Sequence, residues 1–453
     1  MNNEKKLGTE KIGKLMLSMG VPTLAAQLIN LLYNIVDRIY IGHIPNVGAD
    51  ALTGLGLAMP VIMIISAFSM LLGAGGAPLA GIDMGRGDMK SAEKIIGSCA
   101  GALVICSVIL TAVFAVFEKP LLYLIGASDV TLPYAVKYLS IYLCGTLFVQ
   151  LTLGLNLFLT AQGRAKTAML SVLIGAVINI ILDPVLIFSL DMGIGGAALA
   201  TVFSQFCSCV WVVKSLTGKK TALRIKKENL KPDPAVLKRI TALGISPFIM
   251  QSTESLISIV LNSSLQKYGG DLYVGSLTIL QSVMQLISVP INGFTQGIQP
   301  ILSYNFGAGN IERVKKVSQR IMLCTVSVSG LLALTAVLFP KAFVGVFTSD
   351  GALAELSAKV LPVFVFGMLV FGLQMGSQTI FLGLGQAKLS LFAALLRKVI
   401  LLTPLALILP AVTQNVMGIY YAEPIADITA ALICFTMLLL NYKKILSRGP
   451  AKN

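Results

Sequence analysis

Apolar residues fall into twelve long runs separated by short polar or basic segments. They cover roughly residues 13–41, 52–80, 95–117, 132–158, 167–190 and 194–216, then 237–265, 272–303, 317–347, 356–383, 389–411 and 416–441. A helix needs about 20 mostly apolar residues to cross a hydrocarbon core. Each run reaches that length, and several exceed it, which permits tilt or kinking. A helix is the form expected, because inside a bilayer every backbone N–H and C=O must be paired within its own segment. The pattern therefore predicts an all-α polytopic membrane protein with twelve transmembrane helices.

The longest internal polar stretch, about 217–236, carries Lys219, Lys220, Pro232 and Pro234 and falls near the middle of the chain. The sequence on its two sides repeats. Pro78-Leu79 with Gly85-Arg86-Gly87-Asp88 matches Pro300-Ile301 with Gly307-Ala308-Gly309-Asn310 at a constant shift of 222. The same shift relates Gln162-Gly163-Arg164-Ala165-Lys166 to Leu384-Gly385-Gln386-Ala387-Lys388, and Phe117 and Lys119 to Phe339 and Lys341. With small gaps, Gly20 and Pro22 pair with Gly244 and Pro247, and Met192-Gly193-Ile194 with Met417-Gly418-Ile419. Six spans per half start both halves on the same side, so the repeat is parallel. The expected organisation is an N-lobe at 1–216, a basic connector at 217–236 and a C-lobe with its tail at 237–453. These would form two pseudo-symmetric six-helix bundles around a central cavity.

Composition agrees: 56% of the 453 residues are hydrophobic and 12% charged, more apolar surface than a soluble domain can hide. The net charge of +15 would suggest nucleic acid in a soluble protein, but the cations lie between the runs and alternate by side. One side receives Lys5, Lys6, Lys11 and Lys14, then Arg86, Lys90 and Lys94, then Arg164 and Lys166, and the connector's Lys219, Lys220, Arg224, Lys226, Lys227 and Lys231. It also receives Arg313, Lys315, Lys316, Arg320, Lys388, Lys443, Lys444, Arg448 and Lys452, whereas the other side has scattered cations such as Lys119, Lys267 and Lys341. By the positive-inside rule both termini are expected in the cytoplasm of a cell that carries the protein in its plasma membrane. Solvated topology signals account for the charge without an anionic ligand, and no nucleic-acid partner is expected. The seven cysteines lie within apolar runs and read as small buried hydrophobes.

Polar residues inside the runs are the candidate chemistry, since an ionisable group in the bilayer is costly and marks a functional site by default. Four carboxylates stand out: Asp37, Asp183, Glu254 and Asp427. Gln27, Asn30, Asn34 and Asp37 recur at helical spacing on one face of the first span, with Arg38 placed to snorkel. In the fifth span Asn179 stacks on Asp183, and Pro184 removes the next backbone donor. Such oxygen clusters suit Na+, or proton exchange when desolvated. A packing hydrogen-bond pair is the plain alternative. Gln251, Glu254, Ser255, Ser258 and Asn262 form a polar stripe on the seventh span, and Gln281, Gln285, Ser288 and Asn292 one on the eighth. Both are expected to line a wet cavity. Asp427, beside Glu423 and Pro424, lies closer to a span end.

Enzyme chemistry is poorly provided for. His43 is the single histidine and reads as a loop residue, so Ser-His-Asp, HExxH and His-rich metal patterns do not occur. Gly218-Lys219-Lys220-Thr221 lacks the earlier glycine and the preceding strand of a phosphate-binding loop.

The residues resemble those of multidrug and toxic compound extrusion (MATE) transporters, in the bacterial MepA-like branch. The stretch Asn34 to Gly42, Gly85-Arg86-Gly87-Asp88, Asn179 to Pro184, Pro300 to Asn310 and Gly418 to Asp427 carry the resemblance over nearly the whole chain. It implies a V-shaped 6+6 bundle that exports cationic or amphipathic drug-like compounds in exchange for H+ or Na+, without a cofactor. It also implies an N-lobe cation site at Asp37, Asn179, Asp183 and Thr201. Glu254 falls where some members carry an acid on the seventh helix. The tenth helix departs from those members, with Gln374 and Gln378 but no acid, which favours coupling in the N-lobe.

The expected function is thus a secondary multidrug exporter, acting as a monomer. Asp37, Asn179, Asp183 and Thr201 would couple to the cation, and Gln27, Asn30, Asn34, Gln251, Glu254, Gln281 and Gln285 would contact substrate. A flippase for lipid-linked intermediates is the alternative; of the cations within spans, Arg38, Arg397 and Lys398 are the candidates to meet a pyrophosphate. A channel and a membrane-embedded enzyme are weaker candidates.

Overall fold

The computed structural model describes residues 3–218, 221–348 and 350–449, apart from the side chains of Asn3, Ser255 and Asp271. Lys219, Lys220 and Lys452 of the basic clusters, and the Ser255 side chain, therefore lie outside the described residues. All secondary structure among the described residues is helical.

The first half comprises α1 (Asn3–Thr9), α2 (Ile12–Gly42), α3 (Gly48–Gly85), α4 (Met89–Ile125), α5 (Leu132–Cys144), α6 (Thr146–Ala161), α7 (Ala165–Pro184) and α8 (Ile194–Thr217). The second comprises α9 (Pro234–Tyr268), α10 (Asp271–Gly307), α11 (Ile311–Leu338), α12 (Pro340–Gly345), α13 (Gly351–Phe364), α14 (Met368–Gly383), α15 (Ala387–Leu395), α16 (Thr403–Thr413) and α17 (Met417–Arg448). Ten helical segments are long and apolar enough to span a bilayer, or twelve when the bent pairs α5/α6 and α13/α14 each count as one.

Those pairs are the fourth span of each half, read from the sequence as continuous runs. They bend by 60° and 51°. The first break falls at Gly145, where a Cβ would lie 2.6 Å from Val202. The second falls at 365–367, where a Cβ on Gly367 would lie 2.5 Å from that of Asp427. Neither break contains a polar residue, so hydropathy does not register them. Both halves also carry a π-helical turn in the equivalent span, Val185–Ser189 after Pro184 and Leu396–Leu402 between α15 and α16. Such turns concentrate at functional sites.

The repeat is structural as well as sequential. Gly87 and Gly309 both adopt positive φ, +81° and +70°, as do Gly163 and Gly385, so all four lie in the left-handed region that glycine tolerates. The following residues cap the next helices alike: the Asp88 side chain accepts from the Ser91 N–H, and that of Asn310 from the Arg313 N–H.

Glycines also set the contact between the lobes. A Cβ on Gly75 (α3) would lie 2.9 Å from the Gly244 Cα (α9), and one on Gly297 (α10) would lie 2.9 Å from the Gly20 Cα (α2). These two crossings are related by the internal repeat. They hold the lobes together in the half of the bundle nearest the basic loops, and a cavity lies in the other half.

Two of the basic segments are also docked through their apolar and backbone groups. The N-terminal α1 buries Leu7 completely; its carbonyl accepts from Asn305 Nδ2 at 2.9 Å and from Arg313. The connector lies on the N-lobe, with Leu223 buried and its N–H donating to Gln162 Oε1. Lys226 pairs with Glu93 and Lys94 with Asp233, each at 2.6 Å. These basic residues thus serve packing as well as topology. Among the cysteines Cys144 is exposed, against the expectation of burial, because it faces outward at the end of α5.

Candidate functional site

Two polar regions emerge, one inside the N-lobe and one between the lobes. In the first, α2 delivers Asp37, α7 delivers Asn179 and Asp183, and α8 delivers Thr201. Asp37 is 6% exposed and Asp183 fully buried. Their carboxyl groups interact directly. Asn179 Nδ2 donates to Asp183 Oδ1 at 3.2 Å and reaches Thr201 Oγ1 at 3.5 Å. Asp37 Oδ1, Asn179 Oδ1 and Asp183 Oδ2 are buried without a hydrogen-bond partner among the described residues. Three acceptor oxygens in one buried cluster call for a proton or a cation, since an unpaired buried polar atom is costly.

The four residues named from the resemblance therefore meet. A cavity of about 40 Å³ adjoins them, lined by Asn30, Tyr33, Asn156, Asn179, Thr201 and Gln205. One water takes roughly 10–15 Å³ by this measure, so the space suits a water or a bare ion. Tyr138, within hydrogen-bond reach of Thr201, was missed in the sequence because a tyrosine on an apolar helix reads as core.

The second region is a cavity of about 440 Å³ in the half of the bundle away from the basic loops. Its wall is mostly C-lobe. Met59 and Met63 of α3 face Met250, Met284, Met368 and Met375 of the second half. Thioether side chains are unbranched and polarisable, so such a wall adapts to ligands of different shape. Glu254, Ser258, Gln281, Gln285, Ser288 and Asn292 also line it, as their spacing predicted.

Other predicted contact residues lie elsewhere. Gln27 donates to Gln296 Oε1 across the lobe interface at 3.2 Å. Asn34 is exposed and donates to the Asn30 carbonyl. Asn30 faces the small N-lobe cavity, and Gln251 is not among the lining residues of either. The stripe on α2 was real, but the lobes close along its Gln27 end, the one nearer the basic loops.

The cavity also holds charges that the sequence reading did not connect. Arg397, in the π-helical turn, pairs with Asp427 and with Glu423, the latter at 3.0 Å, and lies over the Phe371 ring at 5.0 Å from its centroid. Asp427 is fully buried. Lys398 pairs with Glu254 and donates to the Met250 carbonyl at 3.3 Å. Gln378, expected only to mark a missing acid, donates to Ser246 and Ser390 and ties α14 to α9 and α15. No group of three or more His, Cys, Asp or Glu suited to a metal occurs among the described residues.

The sequence profile of the MatE family matches residues 22–185 and again 247–408, one copy in each half. The chain belongs to the MatE family. As a MatE protein it is a membrane transporter and not an enzyme. Relatives include the multidrug export protein MepA of Staphylococcus haemolyticus (strain JCSC1435), 25% identical over 429 residues, with 94% of each chain covered. The protein of that name from Staphylococcus aureus (strain NCTC 8325 / PS 47) is 26% identical over 448 residues, covering 96% of this chain and 97% of the relative. In fold, the chain matches a MATE crystal structure in the bent conformation with a TM-score of 0.92 at 22% identity, 99% of each chain covered. It also matches a transporter of the MOP superfamily from Pyrococcus furiosus with a TM-score of 0.90 at 22% identity, covering 97% of this chain and 98% of the other.

Proposed function

We propose that this MatE transporter is a secondary multidrug exporter that expels cationic or amphipathic compounds in exchange for H+ or Na+. The observation that carries the reading is the contact of the Asp37 and Asp183 carboxyls, buried beside unpaired oxygens of their own and of Asn179. A hydrogen bond between two carboxyl groups needs one proton, and two ionised carboxylates need a cation between them. Either way the cluster takes up one positive charge and changes shape when it leaves. Because α2 also forms the lobe interface through Gly20, a shift of α2 on cation release reaches the packing that holds the lobes together.

Substrate occupies the methionine-walled cavity. With the basic loops in the cytoplasm, that cavity faces outward, both termini are cytoplasmic and the protein resides in the plasma membrane. The working units are the lobes at 1–216 and 237–453, with the connector at 217–236, in a single copy of the chain. The export of drugs by the MepA relatives supports this reading of the cavity. A flippase for pyrophosphate-linked lipids would need several cations free to meet the headgroup, whereas Arg397 and Lys398 both lie on carboxylates and only Arg38 of the three candidates is exposed.

The test is ethidium transport by purified protein in proteoliposomes under an imposed H+ or Na+ gradient. Uptake driven by one gradient, with a stoichiometric counterflow of that ion, is expected. Flux insensitive to both would overturn the reading in favour of a channel.

A further inference from the structure

The two cations in the cavity wall are held differently. Arg397 is neutralised by two carboxylates, Glu423 and Asp427, and covered by Phe371, so it is built into the wall. Lys398 has one carboxylate. Its side chain is only 7% exposed, whereas its partner Glu254 is 56% exposed and stands at the cavity edge. The other acceptor of the ammonium among the described residues is the neutral Met250 carbonyl. The acid expected to greet a cationic substrate thus already carries an internal cation from the eleventh span.

We propose that Lys398 is a specificity-determining residue: it makes the cavity favour ligands that bring a carboxylate or another strong acceptor together with their positive charge. The inference rests on the export reading above. A ligand that is only a cation competes with Lys398 for the single carboxylate of Glu254, and where it takes that place it leaves a buried ammonium beside Met250 and Arg397. Removing one partner of a buried ion pair is costly, because the other charge stays desolvated and unpaired. A zwitterion exchanges partners instead. Its cation takes Glu254, and its carboxylate takes the ammonium that Glu254 released. Neither the protein nor the ligand then holds an unpaired charge. The side-chain amides of Gln281 and Gln285, which line the same cavity, supply neutral donors and acceptors that favour neither sign.

Rhodamine B and its ethyl ester form a matched pair of probes, the first a zwitterion at pH 7.5 and the second a permanent cation of the same ring system. Their binding to purified full-length protein is read by fluorescence polarisation. Wild type is expected to bind the zwitterion more tightly than the ester. Lys398→Met, which keeps the length and apolar stem, is expected to shift the ratio of the two dissociation constants toward the ester by at least about tenfold. Lys398→Arg keeps the charge and should preserve the wild-type order. Melting temperature of each variant separates misfolding from altered recognition. A ratio unchanged within about twofold in Lys398→Met, or equal weakening of both probes with normal melting, overturns the inference and leaves the export reading intact. Failure of wild type to bind either probe overturns the inference, whereas only ethidium flux insensitive to both gradients overturns the export reading.

Discussion

Gly85 of α3 and Gly307 of α10 pack reciprocally, each against the backbone of the other's helix. A Cβ on Gly85 would lie 2.0 Å from the Tyr304 carbonyl oxygen, and one on Gly307 would lie 1.9 Å from the Ile82 carbonyl oxygen. Gly85 and Gly307 are equivalent in the internal repeat, and so are Ile82 and Tyr304. The pair therefore lies on the pseudo-two-fold relation between the lobes, at the end where the basic loops gather. Backbone meets backbone there, and no flexible side chain can give way.

Gly85→Val is expected to wedge that seal open. Overpacking of this kind costs about 1–3 kcal/mol, enough to shift a closed-to-open ratio roughly fivefold to 150-fold. Spin labels at the exposed Lys90 and Glu312, one in each lobe, would report a longer distance in the variant. An unchanged distance distribution would mean that the seal is held elsewhere.

Replacing Asp37 or Asp183 by Asn keeps shape and removes the titratable group. Gradient-driven ethidium transport should fall by at least about tenfold in either variant, while ethidium binding in the methionine-walled cavity stays within about twofold. Loss of binding together with transport would place the two carboxyls in substrate contact instead.

Arg397→Leu leaves Glu423 and Asp427 buried without their counterion. A broken buried pair costs about 3–5 kcal/mol, so the purified variant should melt well below wild type. Adding Asp427→Leu and Glu423→Leu should recover much of that loss, because no charge is then stranded. A triple variant as unstable as the single one would show that these groups support the fold through shape.

The connector offers a pH test outside the membrane. The Lys94 ammonium, together with the Val236 and Ala235 N–H groups, holds the Asp233 carboxyl below its ordinary value. A depressed carboxyl contributes docking stability in full above its unfolded pKa, about 3.9, and loses it as pH falls through the lower folded value. Protection of residues 221–233 from proteolysis should therefore be constant from pH 8 to about 5 and weaken below about 4. Asp233→Asn should remove this step.

Much of the architecture was legible in the chain itself. The twelve runs, the repeat at a shift of 222 and the side alternation of basic residues follow from the solvent. A hydrocarbon core forces long apolar helices, and a duplicated fold must reuse its glycines wherever backbone approaches backbone. The polar stripes on α9 and α10 were likewise readable, because helical periodicity tells which side chains share a face. Asp37, Asn179, Asp183 and Thr201 lie on three different helices. Periodicity alone could relate only Asn179 to Asp183, and the resemblance supplied the rest.

Tertiary structure decided which partner each polar face met. Glu254 and Lys398 are 144 residues apart, and no local spacing announces that the π-helical turn presents that ammonium to that carboxylate. Gln27 and Asn34 lie on the same α2 stripe as Asp37, yet one is used at the lobe interface and the other is exposed. The bends at Gly145 and at 365–367 likewise depend on what packs against them, Val202 in one case and Asp427 in the other. Sequence determines the solvent of each segment and the face each residue takes. Only the packing of one helix on another determines whether a charge is paired, stranded or free to meet a substrate.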